Sequence, residues 1–334
     1  MAAERTSRSN ARQAIAGRFE RFAVEARGRS PLYVEIARAV ARDDAVLDFL
    51  AEMPEAKWQP NVLLGVVRYL YGTPASGDEF VALVKARAEE IAGTMAVRTT
   101  QTNEPARCAT LLPVLARLPQ PLALLEVGAA AGLCLLPDYY AYDYGGHRVQ
   151  ASLRGDVEPP VFACRASART PLPRAGIEVA WRAGLDVRPV DVADEAEVRW
   201  LEALIWPGQE YRVPRLRAAV EVARAHPPRL VKGDLRRDLP ALAAQAPSDA
   251  TLVVFHTAVL AYILDGDERA AFARAVAELG AVWVANEAPQ VIPGASHLTA
   301  GHSDAAAFIL CVDGEPTAWT DGHGMWIDWR PDAA

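Results

Sequence analysis

The chain has little of what marks several common protein classes. Its four cysteines, Cys108, Cys134, Cys164 and Cys311, lie far apart, with no Cys-x-x-Cys pair and no histidine at ligand spacing. Neither a zinc site nor a disulfide framework is signalled, no metal is called for, and the thiols are expected to be reduced core residues. Lysine is scarce, arginine is dispersed among aspartate and glutamate, and the formal net charge is −7. That balance opposes a general affinity for nucleic-acid backbones and points to a small-molecule substrate. No apolar run reaches the length of about 18 residues that spans a membrane, and the arginine-rich N-terminus lacks an apolar stretch of roughly 7 to 15 residues. Export and membrane spanning are therefore not expected, and the chain reads as cytoplasmic. No Gly-x-Ser-x-Gly elbow occurs. The Ser296-His297 and His302-Ser303 pairs fall in a polar loop, 294–304, that reads as a flap rather than a serine-nucleophile site.

What is present is Leu122-Ala-Leu-Leu-Glu126-Val-Gly128-Ala-Ala130-Ala-Gly132-Leu-Cys-Leu-Leu136: a short apolar strand, an acid, small residues, and at once the start of a helix. A turn without bulky side chains lets a ligand approach the backbone closely, and the N–H groups of the following helical turn are free to donate. The spacing matches neither a phosphate-cradling Gly-Lys-Ser/Thr loop nor the G-x-G-x-x-G dinucleotide turn. A buried strand turning tightly into a packed helix is the plain alternative.

Apolar residues recur at helical spacing through the first third, as at Ala14, Ile15, Phe19 and Phe22, then Leu32, Ile36 and Val40, then Val46, Leu47 and Leu50. Ser30-Pro31 offers a cap with proline at the first helical position, and Pro60 opens another helix. The expectation is an all-helical N-terminal domain over 1–118. Thr102 or Asn103 reads as the cap of a helix over 106–115, with contact to a ligand as the other role for this polar stretch.

Beyond residue 118, strand signals at 179–192, 229–232, 251–256 and 282–286 alternate with helical runs at 195–204, 211–225, 239–244 and 267–279, and 307–319 and 324–329 read as two further strands. Alternation of this kind implies parallel strands, right-handed crossovers and helices on both faces. The expected fold class is α/β: a doubly wound, mainly parallel sheet over 119–334 with an antiparallel C-terminal strand pair and an insertion at about 145–178. Within the insertion 149–154 alternates like a strand. With Tyr139, Tyr140, Tyr142 and Tyr144 it forms a lid or substrate wall; alternatively these tyrosines close the amphipathic end of a helix. Ligands of open α/β sheets sit outside the carboxyl ends of the strands, where strand order reverses. That rule nominates Glu126, Gly128, Asp234, His256, Thr257, Asn286 and Glu287.

The pattern Glu-x-Gly-x-Ala-x-Gly resembles the first motif of class I S-adenosylmethionine-dependent methyltransferases, with Ala130 where the commonest pattern has a middle glycine. The resemblance implies a Rossmann-like sheet, S-adenosylmethionine as cofactor, and methyl transfer to a small-molecule nucleophile. It places the Gly128, Ala130 and Gly132 turn under the cofactor's methionine portion with Glu126 supporting that cofactor-binding loop, and it gives Asp234, in Leu230-Val-Lys-Gly-Asp, the adenine amino group. The acid for the ribose hydroxyls ordinarily follows the glycine loop by about 20 residues. Here the nearest acid on a strand is Asp186, nearly 60 positions after Gly128, and it is the expected contact. His256 stands where that superfamily reaches its substrate, and an imidazole there can take a proton as the methyl moves; alternatively it caps strand-end carbonyls. Glu287 orients that ring, binds a substrate cation, or is a helix-start carboxylate.

A longer string of segments, among them Gln101-Thr-Asn-Glu-Pro-Ala-Arg-Cys, Tyr142-Asp-Tyr-Gly, Leu204-Ile-Trp-Pro207-Gly-Gln-Glu210 and Phe255-His-Thr-Ala-Val-Leu-Ala-Tyr262, resembles an uncharacterised bacterial family filed as a domain of unknown function, from about Arg18 to Trp329. Convergence of these segments adds Asn103, Glu104, Tyr142, Trp206, Gln209 and Glu210 to the substrate pocket. Two other readings keep the same pocket: an enzyme using NAD(P) or a hydrolytic reaction, and a non-catalytic small-ligand-binding protein on a degenerate methyltransferase fold.

Overall fold

The computed structural model describes residues 2–101, 103–152, 157–298, 302, 304 and 306–331. Thr102, Leu153, Arg154, residues 299–301 and Ser303, all named in the sequence reading, lie outside the described residues, as does the side chain of Ser296. Among the described residues the α-helices are α1 (Ala2–Glu25), α2 (Pro31–Arg42), α3 (Asp44–Ala51), α4 (Pro60–Tyr71), α5 (Gly77–Ala86), α6 (Ala88–Val97), α7 (Cys108–Leu115), α8 (Glu195–Ala203), α9 (Arg212–Ala225), α10 (Leu239–Ala243) and α11 (Gly266–Glu278). The strands are β1 (Leu122–Val127), β2 (Ala141–Asp143), β3 (Arg148–Val149), β4 (Val161–Ala163), β5 (Arg165–Ala166), β6 (Val179–Asp186), β7 (Arg229–Lys232), β8 (Thr251–Thr257), β9 (Val282–Glu287), β10 (Phe308–Val312), β11 (Glu315–Thr320) and β12 (Trp326–Trp329). No helix among them is long and apolar enough to cross a membrane.

The chain divides into two compact units, Met1–Gln101 with Glu195–Pro214, and Thr102–Asp194 with Arg215–Ala334. In the first, the cap expected at Ser30-Pro31 forms. Ser30 Oγ accepts the Tyr33 amide with Pro31 at the first helical position of α2, and Ser76 caps α5. A β-carbon on Gly77 would stand 2.9 Å from Ala39 Cβ, so glycine permits the close crossing of α2 and α5. Trp200 of α8 is buried in this helical core with Ile36, Leu63 and Phe80, donates its indole N–H to Thr99 O and lies under the Arg98 guanidinium, which pairs with Glu197.

These contacts explain why the boundary differs from the expected 118. Every residue of α7 is buried, and a helix apolar on all sides belongs to an interior rather than a surface bundle. Residues 102–118 therefore join the second unit, and 195–214 join the first.

The second unit is a mixed α/β body with a large, mostly parallel sheet in the order β5-β12-β11-β10-β9-β8-β1-β6-β7. Strands β7, β6, β1, β8 and β9 run parallel. All six residues of the central β1 are buried, the continuous run expected of a strand covered on both faces. Beyond β9 the sheet turns antiparallel through β10, β11 and β12, and β5 pairs parallel to β12. The expected C-terminal pair is thus three strands. Asp313-Gly314, with φ of 51° and 84°, is a tight hairpin turn that splits 307–319 in two.

The helix expected directly after β1 does not form. Two three-residue 3-10 turns, Leu133–Leu135 and Pro137–Tyr139, take its place, and Pro137 stops helical continuation. Downstream, β3, β2 and β4 make a small separate sheet, so the 145–178 segment contributes β3 and β4 there and β5 to the main sheet edge.

Candidate functional site

The order of the parallel strands reverses between β1, followed outward by β6 and β7, and β8, followed by β9. A crevice at their carboxyl ends is where open α/β sheets take ligands. The turn after β1 lies at that point, with positive φ at Gly128 (70°), Ala130 (47°) and Gly132 (68°). Alanine in the left-handed region is uncommon and needs surrounding support.

That support comes from two side chains. Asp186, at the end of β6, accepts the Ala130 amide on Oδ2 at 2.8 Å and the Arg188 amide on Oδ1 at 2.7 Å. Asn103 Oδ1 accepts the Ala131 amide at 2.9 Å. The turn's donors are therefore committed within the protein, which corrects the expectation that they stand free. Its glycines are covered as well: a β-carbon on Gly128 would lie 2.3 Å from Val259 Cγ2, and one on Gly132 2.8 Å from Pro228 and 2.9 Å from Leu230. Small residues here let neighbouring side chains close over the backbone.

Two buried polar atoms beside the turn have no partner, Glu126 Oε2 and Asn103 Nδ2. Burial pushes the Glu126 carboxyl well above the usual carboxylate range. Cys134 and the Asp186 carboxylate add to that rise, and the Arg107 guanidinium opposes it. Glu104, not Asn103, caps the segment that follows, accepting the Ala106 amide at 3.3 Å.

On β8 and β9 the expected pair meets, in the core. His256 has no exposed surface. The indole of Trp283 can only donate and lies 2.9 Å from His256 Nε2, so the ring proton sits on Nδ1 and is donated to Glu287 Oε1 at 2.7 Å. The same carboxylate oxygen accepts the amides of Val259 at 2.6 Å and Leu260 at 3.1 Å. Both ring nitrogens of His256 are occupied, and Glu287 pins the chain that leaves β8 through Ala258, itself at φ 59°. Of the roles weighed for Glu287, orienting this ring is the one its geometry matches.

Thr257 and Asn286 also face inward. Thr257 accepts Arg107 Nη1 on both its carbonyl and hydroxyl oxygens at 3.0 Å, and Arg107 Nε reaches Gly322 O. Asn286 Oδ1 accepts the Thr320 hydroxyl at 2.7 Å. Asp234 lies two residues beyond the end of β7 and is held by Arg236, which pulls its carboxyl down to about 2. Tyr142 lies in β2 rather than on a helix, with its hydroxyl donated to Pro137 O at 2.6 Å.

Three expected pocket residues belong to the helical unit. Trp206 donates to Asn61 Oδ1 and packs on Phe22 and Tyr33. Gln209 accepts from Arg212, and Glu210 Oε1 accepts the Gly208 amide. Two residues were not foreseen. Arg107 was signalled by a lone charge inside an otherwise apolar helical run, whereas nothing in the sequence marks Val259.

Over residues 16–329 the chain matches the family of uncharacterised proteins conserved in bacteria, DUF2332, and it belongs to that family. No curated protein and no solved structure matches it.

Proposed function

We propose that this family member carries out S-adenosylmethionine-dependent methyl transfer to a small-molecule nucleophile on a Rossmann-like sheet of the class I methyltransferase type. The observation that carries the reading is the unpartnered pair beside the β1 turn, Glu126 Oε2 and Asn103 Nδ2. A buried polar atom left unpaired costs about 1–3 kcal/mol, and a bound ligand accounts for its retention. One atom accepts and the other donates, the complement of an amino-acid end carrying an ammonium and a carboxylate. The parallel block supports the same reading, since its chain order across the sheet is third, second, first, fourth, fifth.

Glu126 and Asn103 would hold the methionine end, and Asp186, which fixes the turn, would meet the ribose with its remaining lone pairs. When bound, S-adenosylmethionine supplies an electrophilic sulfonium methyl group. His256 and Glu287 would act as positioning residues by fixing the Val259 and Leu260 backbone beside the crevice, and orientation of this kind supplies much of the acceleration in a bimolecular transfer. Val259 lies over Gly128, so a cofactor passing under that glycine needs the 258–262 segment to shift.

That cover, with the commitment of both His256 nitrogens, favours a second reading: a non-catalytic small-ligand-binding protein on the same sheet. Thermal shift with S-adenosylmethionine, S-adenosylhomocysteine, NAD and NADP separates the readings. Ligand at a hundred times its Kd stabilises by about 2.7 kcal/mol. Stabilisation by the two adenosyl compounds supports the proposal, stabilisation by a dinucleotide alone overturns it, and adenosyl binding without turnover of S-adenosylmethionine on a panel of small nucleophiles favours the second reading.

A further inference from the structure

The sheet unit leaves four large hydrophobic side chains exposed among its described residues: Val161, Val187, Tyr262 and Leu264. Scattered exposed hydrophobics are ordinary; concentration at one place is not. Three of these four lie on the connections that leave the carboxyl ends of β6 and β8, the two strands flanking β1. Neighbouring strands sit about 4.8 Å apart, so these connections rise roughly 10 Å from one another across the β1 turn.

Both connections touch that turn. The chain after β6 holds it through Asp186 Oδ2 on the Ala130 amide and through the Val190 amide on Ala130 O, and Val187 stands between these two contacts at 67% exposure. The chain after β8 lays Val259 on Gly128, then presents Tyr262 at 56% and Leu264 at 89% exposure. Leu264 is the most open large hydrophobic among the described residues. The segment carrying it is far from slack. Its first amides are fixed by the Glu287 carboxylate, and Ala258 at its start adopts a left-handed conformation that costs an alanine energy. A strained, pinned connection that exposes apolar side chains beside the crevice has the character of a binding edge.

We propose that Val187, Tyr262 and Leu264 form an apolar rim on either side of the Gly128–Gly132 turn that receives an acceptor substrate with a hydrophobic body, aromatic or alkyl, and so sets its class. The proposal rests on the methyl-transfer reading for what is done to that acceptor; the rim itself rests on where these residues stand. It deepens that reading by excluding sugars and other wholly polar acceptors.

The test uses the full chain and the fluorescent apolar probe 1-anilinonaphthalene-8-sulfonate. Titrations compare the unaltered protein with Val187→Ser, Leu264→Ser and Val161→Ser, serine being chosen so that no charge repels the sulfonate. Val161 supplies an exposed hydrophobic of similar openness in the small sheet. The expected result is a probe affinity roughly fivefold or more weaker in Val187→Ser and Leu264→Ser and unchanged in Val161→Ser, with melting temperatures equal throughout because all three positions are exposed. Equal affinity in all four proteins overturns the rim. Self-association of the unaltered chain that Leu264→Ser abolishes also overturns it, since the face is then a contact between copies. A separate titration with S-adenosylhomocysteine reads the cofactor proposal: its failure with the probe result intact removes methyl transfer and leaves an apolar-ligand site, whereas intact cofactor binding with unchanged probe affinity removes the rim alone.

Discussion

Gly128 and Val259 compete for one position: a β-carbon on the glycine would fall 2.3 Å from one γ-carbon of the valine and 2.9 Å from the other. The left-handed φ of 70° at Gly128 adds strain to any side chain placed there. Gly128→Val is therefore expected to destabilise the fold by more than 2 kcal/mol, an order of magnitude typical of overpacking with added backbone strain. A urea midpoint equal to that of the unaltered chain would show that Val259 can leave the glycine freely.

The reverse substitution separates cover from core. Val259→Ala removes the two γ-carbons from above the turn, costs about 1 kcal/mol for a half-buried truncation, and opens the face of Gly128. Affinity for S-adenosylhomocysteine is expected to rise severalfold in calorimetry. A fall in affinity would mean that Val259 belongs to the ligand's own contact surface.

Asp186 anchors two backbone amides, so Asp186→Ala leaves the N–H groups of Ala130 and Arg188 without their acceptor. The expected loss is about 1–3 kcal/mol per group left buried and unpaired, reduced wherever water reaches it. Asp186→Asn keeps one amide oxygen and should fall between. Hydrogen exchange at Ala130 reports the local effect directly: protection should drop in both variants, and full protection in Asp186→Ala would give the turn another anchor.

Much of this architecture was legible because its signals are local. The parallel strands follow apolar runs bounded by turn residues, and Ser30-Pro31 and Pro60 announce helix starts by their own chemistry. What could not be read depends on partners distant in sequence. The all-round apolar character of α7 shows only that it is buried, not which unit buries it. The cover on Gly128 comes from Val259, a residue with no polar signature, and the commitment of His256 depends on Trp283, 27 positions away. Pro137 marks the failure of a helix after Gly132, against the helix start that the small-residue turn suggests. Asp313-Gly314 is a hairpin signal set inside a long apolar stretch that otherwise reads as one strand. At the candidate site the strand-end residues were nameable from topology alone, whereas the direction each side chain takes was not.

Glu126 gives the stability curve a predictable slope. Its folded pKa is raised above the ordinary 4.5, chiefly by burial, so between that value and the folded one the native state binds more protons than the unfolded state. The stability this group contributes is present below pH 4.5 and is lost as the pH climbs toward the folded pKa. Glu126→Gln removes the titration, so the variant should gain on the unaltered protein as pH rises from 5 to 8, read as a growing difference in melting temperature. A constant difference across that range would mean the carboxyl finds a partner that holds its charge.

The last prediction concerns what His256 is for. If it only orients Glu287, then Trp283→Phe, which keeps a six-membered aromatic ring but loses the indole donor and part of the buried volume, should cost about 2–3 kcal/mol and leave ligand affinity alone. His256→Ala removes the donor to Glu287, leaves the indole N–H unpaired and opens a cavity against Phe272, for about 2–4 kcal/mol. Glu287 would then hold Val259 and Leu260 with a looser carboxylate, so the exchange protection of those two amides should fall in His256→Ala and persist in Trp283→Phe. A ring that instead exchanges protons with a substrate would respond differently. Freeing Nε2 in Trp283→Phe would shift the pH dependence of turnover while the two amides stayed protected, and that combination would move His256 from the positioning of a backbone segment into the chemistry itself.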